Sequence, residues 1–191
     1  NGEAAWRRLP HRVNLWGHQI MLSREDNELL TKVGPGTPMG DLLRRFWFPA
    51  MLEEELKEPD GPPVKLRLLG EDLIAFKDSD GRIGILDAYC PHRRVHLYFG
   101  RNEECGLRCV YHGWKFDVDG NCVDMPSEPE ETNFAHKVKQ TSYPAVARGG
   151  MVWIYMGPQG DNGEKMPALP DFEWAYLPQM QRTSTKRLQQ C

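Results

Sequence analysis

The sequence predicts a mainly β protein built from short antiparallel strands, preceded by short N-terminal helices. The first observation is a change of period, because the apolar residues Val64, Leu66 and Leu68 alternate with charged residues, as in a strand with one buried face. The second is a series of turn signals, such as residues 78–81, between apolar runs that are too short for helices. Short strands joined in this way indicate an antiparallel β domain.

Two short helices are predicted ahead of the strands. Ser23 is a suitable N-cap for a helix over residues 24–32, which has acidic residues in its first turn and ends at a Gly-Pro-Gly sequence. Thr37, followed by a proline, starts a second helix that ends near Arg45. Before Pro49 stops it, this helix is expected to direct four apolar residues toward a core, namely Leu42, Leu43, Phe46 and Trp47.

The predicted strands follow in order along the chain. Residues 70–72 turn the first strand into the second, and residues 119–120 form a later hairpin turn. The strands are expected at residues 64–68, 73–77, 83–87, 107–109, 115–118 and 121–124. One loop directly follows the third strand and another follows the fourth, and both are expected at one tip of the domain.

Those two loops carry the chemistry of the sequence. One contains Cys90-Pro91-His92 and the other contains Cys109 and His112, separated by two residues. Each loop offers one thiolate and one imidazole, which suits a [2Fe-2S] cluster whose two irons differ in their ligands. A zinc site with two Cys and two His ligands is the alternative. Zinc patterns commonly group like ligands, whereas each loop here mixes them, and this favours the cluster.

A longer stretch strengthens the cluster interpretation. Residues 100–117, continued by Gly120, Pro126 and Glu128, resemble the cluster-binding region of Rieske-type aromatic-ring-hydroxylating oxygenase large subunits. Residues 148–157 resemble a later strand of the same family, and the similarity is greatest to its phthalate 4,5-dioxygenase group. The resemblance covers most of the chain from Met21 onward. It implies an antiparallel Rieske-type β-sandwich with a cluster-binding tip.

The resemblance also implies the ligands and the role of the cluster. Cys90 and Cys109 would bind one iron, and His92 and His112 would bind the other. Members of this group draw electrons from a flavin and iron-sulfur reductase and pass them to a mononuclear Fe(II) in a catalytic domain, where O2 reacts with an aromatic acid. The complete subunit is expected to form a homotrimer.

The catalytic iron site is predicted to lie outside this chain. The remaining histidines are scattered and form no pattern of two His and one carboxylate, and they are His11, His18, His96 and His136. No catalytic residue is therefore predicted here. Two alternatives remain open within the resemblance: a free Rieske ferredoxin, and an O-demethylating monooxygenase of the same superfamily.

One departure from the family pattern lies in the first loop. After Arg93 the group usually has a glycine and small residues, whereas this chain has Arg94, Val95 and His96. The favoured interpretation of Arg94 is a solvated side chain on an adaptable loop. The alternative is a strained backbone conformation that glycine would take freely, with positive charge added near the cluster. His96 has no matching cysteine and is not predicted to be a ligand. Trp114 is expected either to shield the cluster or simply to pack in the core.

Composition excludes several classes of protein. The chain has 191 residues, 40% of them hydrophobic, which is enough to bury a core. Its formal net charge of −3 gives no excess of positive charge that would attract nucleic acid. No apolar run approaches the roughly 18 residues of a membrane span, and residues 1–20 lack the apolar centre of a secretory signal. Five cysteines without framework spacing indicate a reducing compartment, and the cytoplasm is the expected location.

Four segments are predicted from these observations. Residues 1–20 match nothing in the family and are expected to be an extension, and residues 21–50 are expected to be helices that pack on the domain. Residues 51–157 form the Rieske domain, and residues 158–191 form a proline-interrupted connector toward the absent catalytic domain. Within the domain, residues 126–132 are expected to be a surface loop, with a reductase docking surface as the alternative.

Overall fold

The computed structural model describes residues 21–158 and 165–172. Helix α1 spans Arg24–Thr31, and its N-cap Ser23 accepts a hydrogen bond from the Asp26 backbone N–H at 3.0 Å, as predicted. Helix α2 spans Pro38–Leu43 and is capped by Thr37, which accepts from the Gly40 N–H at 3.2 Å. Both helix starts are therefore confirmed, because the capping side chains satisfy backbone donors that have no partner within the helix.

Eleven strands form three antiparallel sheets in the part of the chain that is described. The first sheet has the order β1-β11-β10, the second β2-β3-β4-β9 and the third β5-β6-β7-β8. The strands are β1 (Trp47–Leu52), β2 (Val64–Leu68), β3 (Glu71–Lys77), β4 (Ile83–Asp87), β5 (Arg101–Glu103), β6 (Gly106–Arg108), β7 (Lys115–Phe116), β8 (Cys122–Asp124), β9 (Ser142–Tyr143), β10 (Ala145–Arg148) and β11 (Met151–Tyr155). The mainly β, antiparallel prediction is confirmed.

The second sheet is the middle layer, and β3 shows why. Its side chains alternate between two cores, with Ile74 and Phe76 in one and Leu73 and Ala75 in the other. The first core also contains Phe116 from the third sheet, and the second core contains residues of β1 and β11. Phe76 and Phe116 are both fully buried, and burial of one such side chain contributes about 1.5–3 kcal/mol.

The first core reaches the two Cys-His loops. Cys90, Cys109 and Trp114 belong to it together with Leu97 and Leu107. The loops therefore stand on a packed apolar base between the second and third sheets. Such a base holds the loop backbones in place, because interior side chains pack with few voids and yield little.

An ion pair network attaches the N-terminal helices to the second sheet. The side chain of Arg44 donates to the carbonyls of Val33 and Leu69 at 3.0 and 2.9 Å, and to the Glu71 carboxylate at 2.6 Å. The hydroxyl of Tyr143 in β9 donates to the other oxygen of Glu71. Arg44 is only 9% exposed, so these contacts satisfy a cation that would otherwise be costly to bury.

Several predictions for the N-terminal segment are wrong. Helix α2 ends at Leu43, and Trp47–Leu52 is the strand β1, so the predicted boundary after residue 50 falls inside a strand. Leu42 and Phe46 are 50% and 56% exposed rather than buried. Strand β1 lies at a sheet edge with a register shift next to Pro49, where a proline is tolerated.

Two turns also differ from the prediction. Glu71 and Asp72 belong to strand β3 rather than to the turn, which is made by Leu69 and Gly70 with φ of 45° and 82°. Strand β5 was not predicted, because its hairpin to β6 turns at Glu104 and Cys105 with φ of 49° and 58°. A turn with two positive φ values normally carries Asn or Gly, and this one lacks that sequence signal.

Residues 165–172 have no regular secondary structure and lie against the first sheet. The indole N–H of Trp47 donates to the Pro167 carbonyl at 2.8 Å, and the Arg148 side chain donates to the Pro170 carbonyl at 2.9 Å. Phe172 stacks on Trp153 with ring centroids 4.7 Å apart. The predicted extension over residues 1–20 lies outside the described residues, as do residues 159–164 and 173–191 of the predicted connector. Among the residues that are described, no helix combines the length and apolar character needed to cross a membrane.

Candidate metal centre

The two Cys-His loops close with the same pair of backbone hydrogen bonds. In the first loop, residues 90–95, the Cys90 N–H donates to the Val95 carbonyl and the Arg94 N–H donates to the Cys90 carbonyl, both at 2.9 Å. In the second loop, residues 109–114, the Cys109 N–H donates to the Trp114 carbonyl at 2.8 Å and the Gly113 N–H to the Cys109 carbonyl at 3.1 Å. Each loop is therefore a six-residue turn that begins at its cysteine.

The fifth residue of each loop is left-handed. Gly113 has φ of 76° and Arg94 has φ of 56°, so Arg94 has the strained conformation that was the less favoured alternative. The Arg94 guanidinium lies 4.9 Å from the ring centroid of Tyr89 and 3.5 Å from an oxygen of Asp87. These contacts hold the Arg94 side chain on the base of its own loop.

The four sulfur and imidazole side chains meet between the loops. Cys90 and Cys109 are 2% and 4% exposed, form no disulfide and lie close enough for their thiols to hydrogen bond to each other. The ring centroids of His92 and His112 are 4.5 Å apart. The structure thus brings together all four residues that the sequence singled out.

Backbone N–H groups point at each sulfur. Those of His92 and Arg93 donate to Cys90, and those of Tyr111 and His112 donate to Cys109. The hydrogen bond between the thiols, followed by burial, raises the pKa of Cys90. The same hydrogen bond lowers the pKa of Cys109, which favours a thiolate at this sulfur. The backbone N–H groups therefore stabilise a negatively charged sulfur in this site.

The charge state of His92 also suits metal binding. Burial lowers the pKa of His92, and His112 and Arg93 lower it further, while Glu128 has the opposite effect. A lowered pKa keeps the imidazole neutral near pH 7, and only a neutral imidazole has a free electron pair for a metal.

Trp114 and the segment that follows strand β8 cover one side of the site. The Trp114 indole stacks on the His92 imidazole with centroids 4.4 Å apart and an angle of 7° between the planes. Pro126 lies over the second loop, where a Cβ on Gly113 would come within 2.7 Å of its Cγ. Residues 126 and 127 are exposed, as expected for a surface loop.

Sequence reasoning missed the two side chains that support the loops. Gln140 is 3% exposed, and its amide donates to the carbonyls of Asp87 and Tyr89, both at 2.9 Å, just ahead of the first loop. The Arg108 side chain donates to the Gly113 carbonyl at 2.8 Å and to the carboxylates of Glu103 and Asp124 at 2.6 and 2.7 Å. Arg108 could have been noticed as a charged residue directly before a ligand cysteine, whereas no local signal marks Gln140.

The other histidines and cysteines have different roles. His96 accepts a hydrogen bond from the Tyr98 N–H through its Nδ1 at 3.1 Å, and this nitrogen is therefore occupied. His136 is exposed on a single 3-10 turn, while His11 and His18 lie outside the described residues. Cys105 and Cys122 are free thiols.

The spacing of the donor atoms distinguishes a site for one metal ion, which needs all its donors close together, from a site for two ions, which can spread them. Among residues 21–158 and 165–172, only Asp78, Asp80 and Cys105 bring three donor atoms within 4.8 Å of one another. Asp78 is a turn residue, because one of its oxygens accepts the backbone N–H groups of Asp80 and Arg82 and the other pairs with the Arg82 guanidinium. No three of the four loop side chains meet that closely.

Comparison with known proteins agrees with this geometry. Residues 46–144 match the family described as Rieske [2Fe-2S] domain. The chain belongs to this family, as the sequence resemblance predicted.

The similar proteins of known activity are oxygenase subunits. The chain is 56% identical over 152 residues to the phthalate 4,5-dioxygenase oxygenase subunit of Pseudomonas putida, covering 80% of this chain and 33% of that protein. It is 47% identical over 156 residues to the 5,5'-dehydrodivanillate O-demethylase oxygenase subunit of Sphingobium sp., covering 80% of this chain and 35% of that one. A crystal structure of dicamba monooxygenase superimposes with a TM-score of 0.60 at 31% identity, covering 72% of this chain and 40% of that chain. The chain thus spans about a third of the length of these curated relatives.

Proposed function

We propose that this chain is the electron-transfer domain of a Rieske oxygenase subunit, in which Cys90 and Cys109 bind one iron of the [2Fe-2S] cluster and His92 and His112 bind the other. The observation that carries the proposal is the pairing of two buried sulfurs with two neighbouring imidazoles across two loops of equal backbone geometry. The cluster supplies one-electron chemistry, with a potential that the imidazoles raise relative to an all-cysteine cluster.

The donor spacing supports a cluster over zinc. Zinc bonds of about 2.0–2.3 Å in a tetrahedron require all four donor atoms to lie within roughly 4 Å of one another. No three of the four loop donors come within 4.8 Å. Two metal ions joined by bridging sulfides accommodate such a spread, because each ion then takes only two of the protein donors.

The protein's own groups prepare the site for both ligand types. Two backbone N–H groups at each sulfur stabilise a thiolate, and hydrogen bonds to cluster sulfurs are one of the means by which a protein sets the reduction potential. His92 is kept neutral by its surroundings. The buried base of the loops limits access of water to the sulfur side, while both imidazoles remain partly exposed at the tip.

We further propose that the complete protein uses this domain to relay electrons from a flavin and iron-sulfur reductase to a mononuclear Fe(II) outside this chain. The names of the relatives support an aromatic carboxylate as substrate, since phthalate 4,5-dioxygenase and 3-chlorobenzoate-3,4-dioxygenase are 56% and 50% identical to this chain over its matched length. O-demethylation is the second candidate, favoured by the relative named for 5,5'-dehydrodivanillate. A homotrimer in the cytoplasm is the expected assembly and location.

The test is low-temperature EPR of the 191-residue chain, purified without oxygen and reduced with dithionite. We expect a rhombic signal whose average g value is lower than that of an all-cysteine [2Fe-2S] cluster, because imidazole nitrogens replace the thiolates on one iron. Cys109→Ser should abolish the signal, whereas Cys105→Ser, a free thiol outside both loops, should retain it. A colourless protein that holds stoichiometric zinc after iron and sulfide reconstitution would overturn the proposal.

The reading frame beyond Cys191 separates an oxygenase from a free Rieske ferredoxin. We expect it to continue through a domain with two histidines and one carboxylate that bind a single iron. A stop codon directly after Cys191 would instead favour the ferredoxin. Substrate turnover by the complete subunit with its reductase would then separate ring dioxygenation from O-demethylation.

A further inference from the structure

The stack of Trp114 on His92 joins the two Cys-His loops. Trp114 is the last residue of the second loop, and His92 lies in the first. Their rings are nearly parallel, 7° apart in plane with centroids at 4.4 Å. By contrast, the neighbouring pair His92 and His112 is tilted by 56°. The flat face of His92 therefore meets the indole, not the other imidazole.

A third segment also contacts the indole. Its Nε1–H lies 3.4 Å from the Ser127 hydroxyl, and the ring of Phe134 meets it at 82° with centroids 5.9 Å apart. Trp114 is 6% exposed and belongs to the core between the second and third sheets. The plane of the indole is thus fixed by contacts that do not involve the ligand loops alone.

A histidine ring needs such a contact to have a defined plane. The torsion that turns an imidazole about its Cβ–Cγ bond has broad, shallow minima, so the side chain's own geometry leaves the plane loosely set. Both ring nitrogens lie in that plane. Whatever fixes the plane therefore fixes the direction of the metal-binding nitrogen and of the opposite N–H together.

Ordinary core packing does not require this arrangement. A buried tryptophan packs well against aliphatic side chains, and aromatic pairs in cores commonly meet edge to face. Here the indole offers its face to a partly exposed, nitrogen-bearing ring. A metal-bound imidazole gives up electron density and becomes partly positive, and the electron-rich face of an indole attracts such a ring.

We infer that Trp114 is a positioning residue that sets the ring plane of His92, and with it the orientation of the His92 nitrogens toward the cluster and toward an outside partner. The inference rests on the proposed role of His92 as a ligand. It assigns Trp114 a function in the site beyond filling the core.

The test is pulsed EPR of the reduced cluster, which measures the magnetic coupling of each ligating histidine nitrogen to the electron spin. In Trp114→Leu we expect one of the two nitrogen couplings to change and broaden while the other keeps its wild-type value. Trp114→Phe retains an aromatic face and should remain close to wild type. We also expect the cluster of the leucine variant to bleach in air about threefold to tenfold faster, since a stacked aromatic contact of this kind stabilises by an amount that corresponds to such a rate change.

Phe116→Leu is the matched control, because Phe116 is fully buried in the same core but makes no ring contact with Trp114 or His92 among the described residues. It should lower the free energy of unfolding and leave both couplings unchanged. If both couplings of Trp114→Leu equal the wild-type values, or if Phe116→Leu changes them equally, Trp114 only fills the core and the inference is wrong.

Two further outcomes are distinguishable. If Trp114→Leu takes up no cluster, Ser127→Ala is the variant to measure, because it removes the hydrogen bond to the indole at an exposed position. One histidine nitrogen coupling should then broaden. Unchanged couplings would overturn the inference. If the wild-type protein itself gives no histidine couplings, the proposed ligand set fails first.

Discussion

The two Cys-His loops have the same backbone but different means of support, and the comparison separates what the site requires from what can vary. Both loops close with hydrogen bonds between the first and sixth residues and between the first and fifth. Both have a left-handed fifth residue. The requirement therefore lies in the backbone, which presents the N–H groups to the sulfur.

The variation lies in side chains. The second loop uses Gly113 at the fifth position and a partly buried guanidinium, Arg108, as its support. The first loop uses Arg94 at the fifth position and the neutral amide of Gln140. A left-handed conformation costs a non-glycine residue about 1–2 kcal/mol, and the contacts of Arg94 with Tyr89 and Asp87 offset part of this cost. Loss of charged or tightly packed groups should therefore damage the second loop more than the first.

The largest effect is expected from Arg108→Met. The change removes the donor from the Gly113 carbonyl and from the Asp124 carboxylate, and it leaves Glu103 with its exposed partner Arg101. We expect the free energy of unfolding to fall by about 3 kcal/mol. Urea denaturation of the two proteins measures the difference. The control is Arg101→Met, which removes a 72% exposed partner of the same Glu103 and should cost about 0.5 kcal/mol or less. Equal losses in the two variants would show that Arg108 is an ordinary surface cation.

A smaller loss is expected from Gly113→Ala. The new Cβ would lie 2.7 Å from the Pro126 Cγ on a backbone with φ of 76°, which adds crowding to strain and should cost about 2–3 kcal/mol. Gly36→Ala isolates the strain, since Gly36 has φ of 74° and no heavy atom within 4 Å of its added Cβ, and it should cost about 1 kcal/mol. Thermal denaturation of both variants gives the comparison. If Gly36→Ala cost as much as Gly113→Ala, the contact with Pro126 would have no energetic role.

The substitution of Arg94 tests the first loop. Arg94→Gly relieves the left-handed strain but loses the contact with Tyr89, and we expect a gain of about 0.5 kcal/mol. Arg94→Ala loses the same contact and keeps the strain, so it should be about 1 kcal/mol less stable than wild type. The order of the three denaturation midpoints is the measurement. An alanine variant at least as stable as the glycine variant would contradict the equivalence of Arg94 with Gly113.

Acidification should weaken the second loop selectively. The hydrogen bond from Arg108 lowers the pKa of Glu103 below its usual value. The Glu103 carboxylate therefore stabilises the fold at every pH above the pKa of an unfolded glutamate. This contribution is lost as the pH falls through the lowered pKa. Gln140 does not titrate and supports the first loop at any pH. Amide hydrogen exchange between about pH 5 and pH 3 should show the second loop opening first after correction for intrinsic rates. Parallel changes in both loops would argue against this difference.

Much of the fold was predictable where the signal is local. Ser23 and Thr37 marked the helix starts because a cap acts within one turn, and β4 was predicted at its observed bounds because its turn sequence and apolar run are adjacent. Strand β1 was missed because Trp47–Leu52 becomes a strand only by pairing with Met151–Tyr155, about a hundred residues later. The β5 to β6 hairpin was missed because Glu104 and Cys105 adopt a turn that their residue types do not favour.

The sequence by itself determined the class of site, because thiolate and imidazole chemistry belongs to the residues and the short spacing of Cys90 with His92, and of Cys109 with His112, confines each pair to one loop. Only the tertiary structure decided how the loops are held. Arg108 meets the Gly113 carbonyl, Gln140 meets the base of the first loop, and Trp114 stacks on His92. These contacts join residues from separate strands and loops, and packing between sheets creates them without leaving a periodic pattern in the sequence.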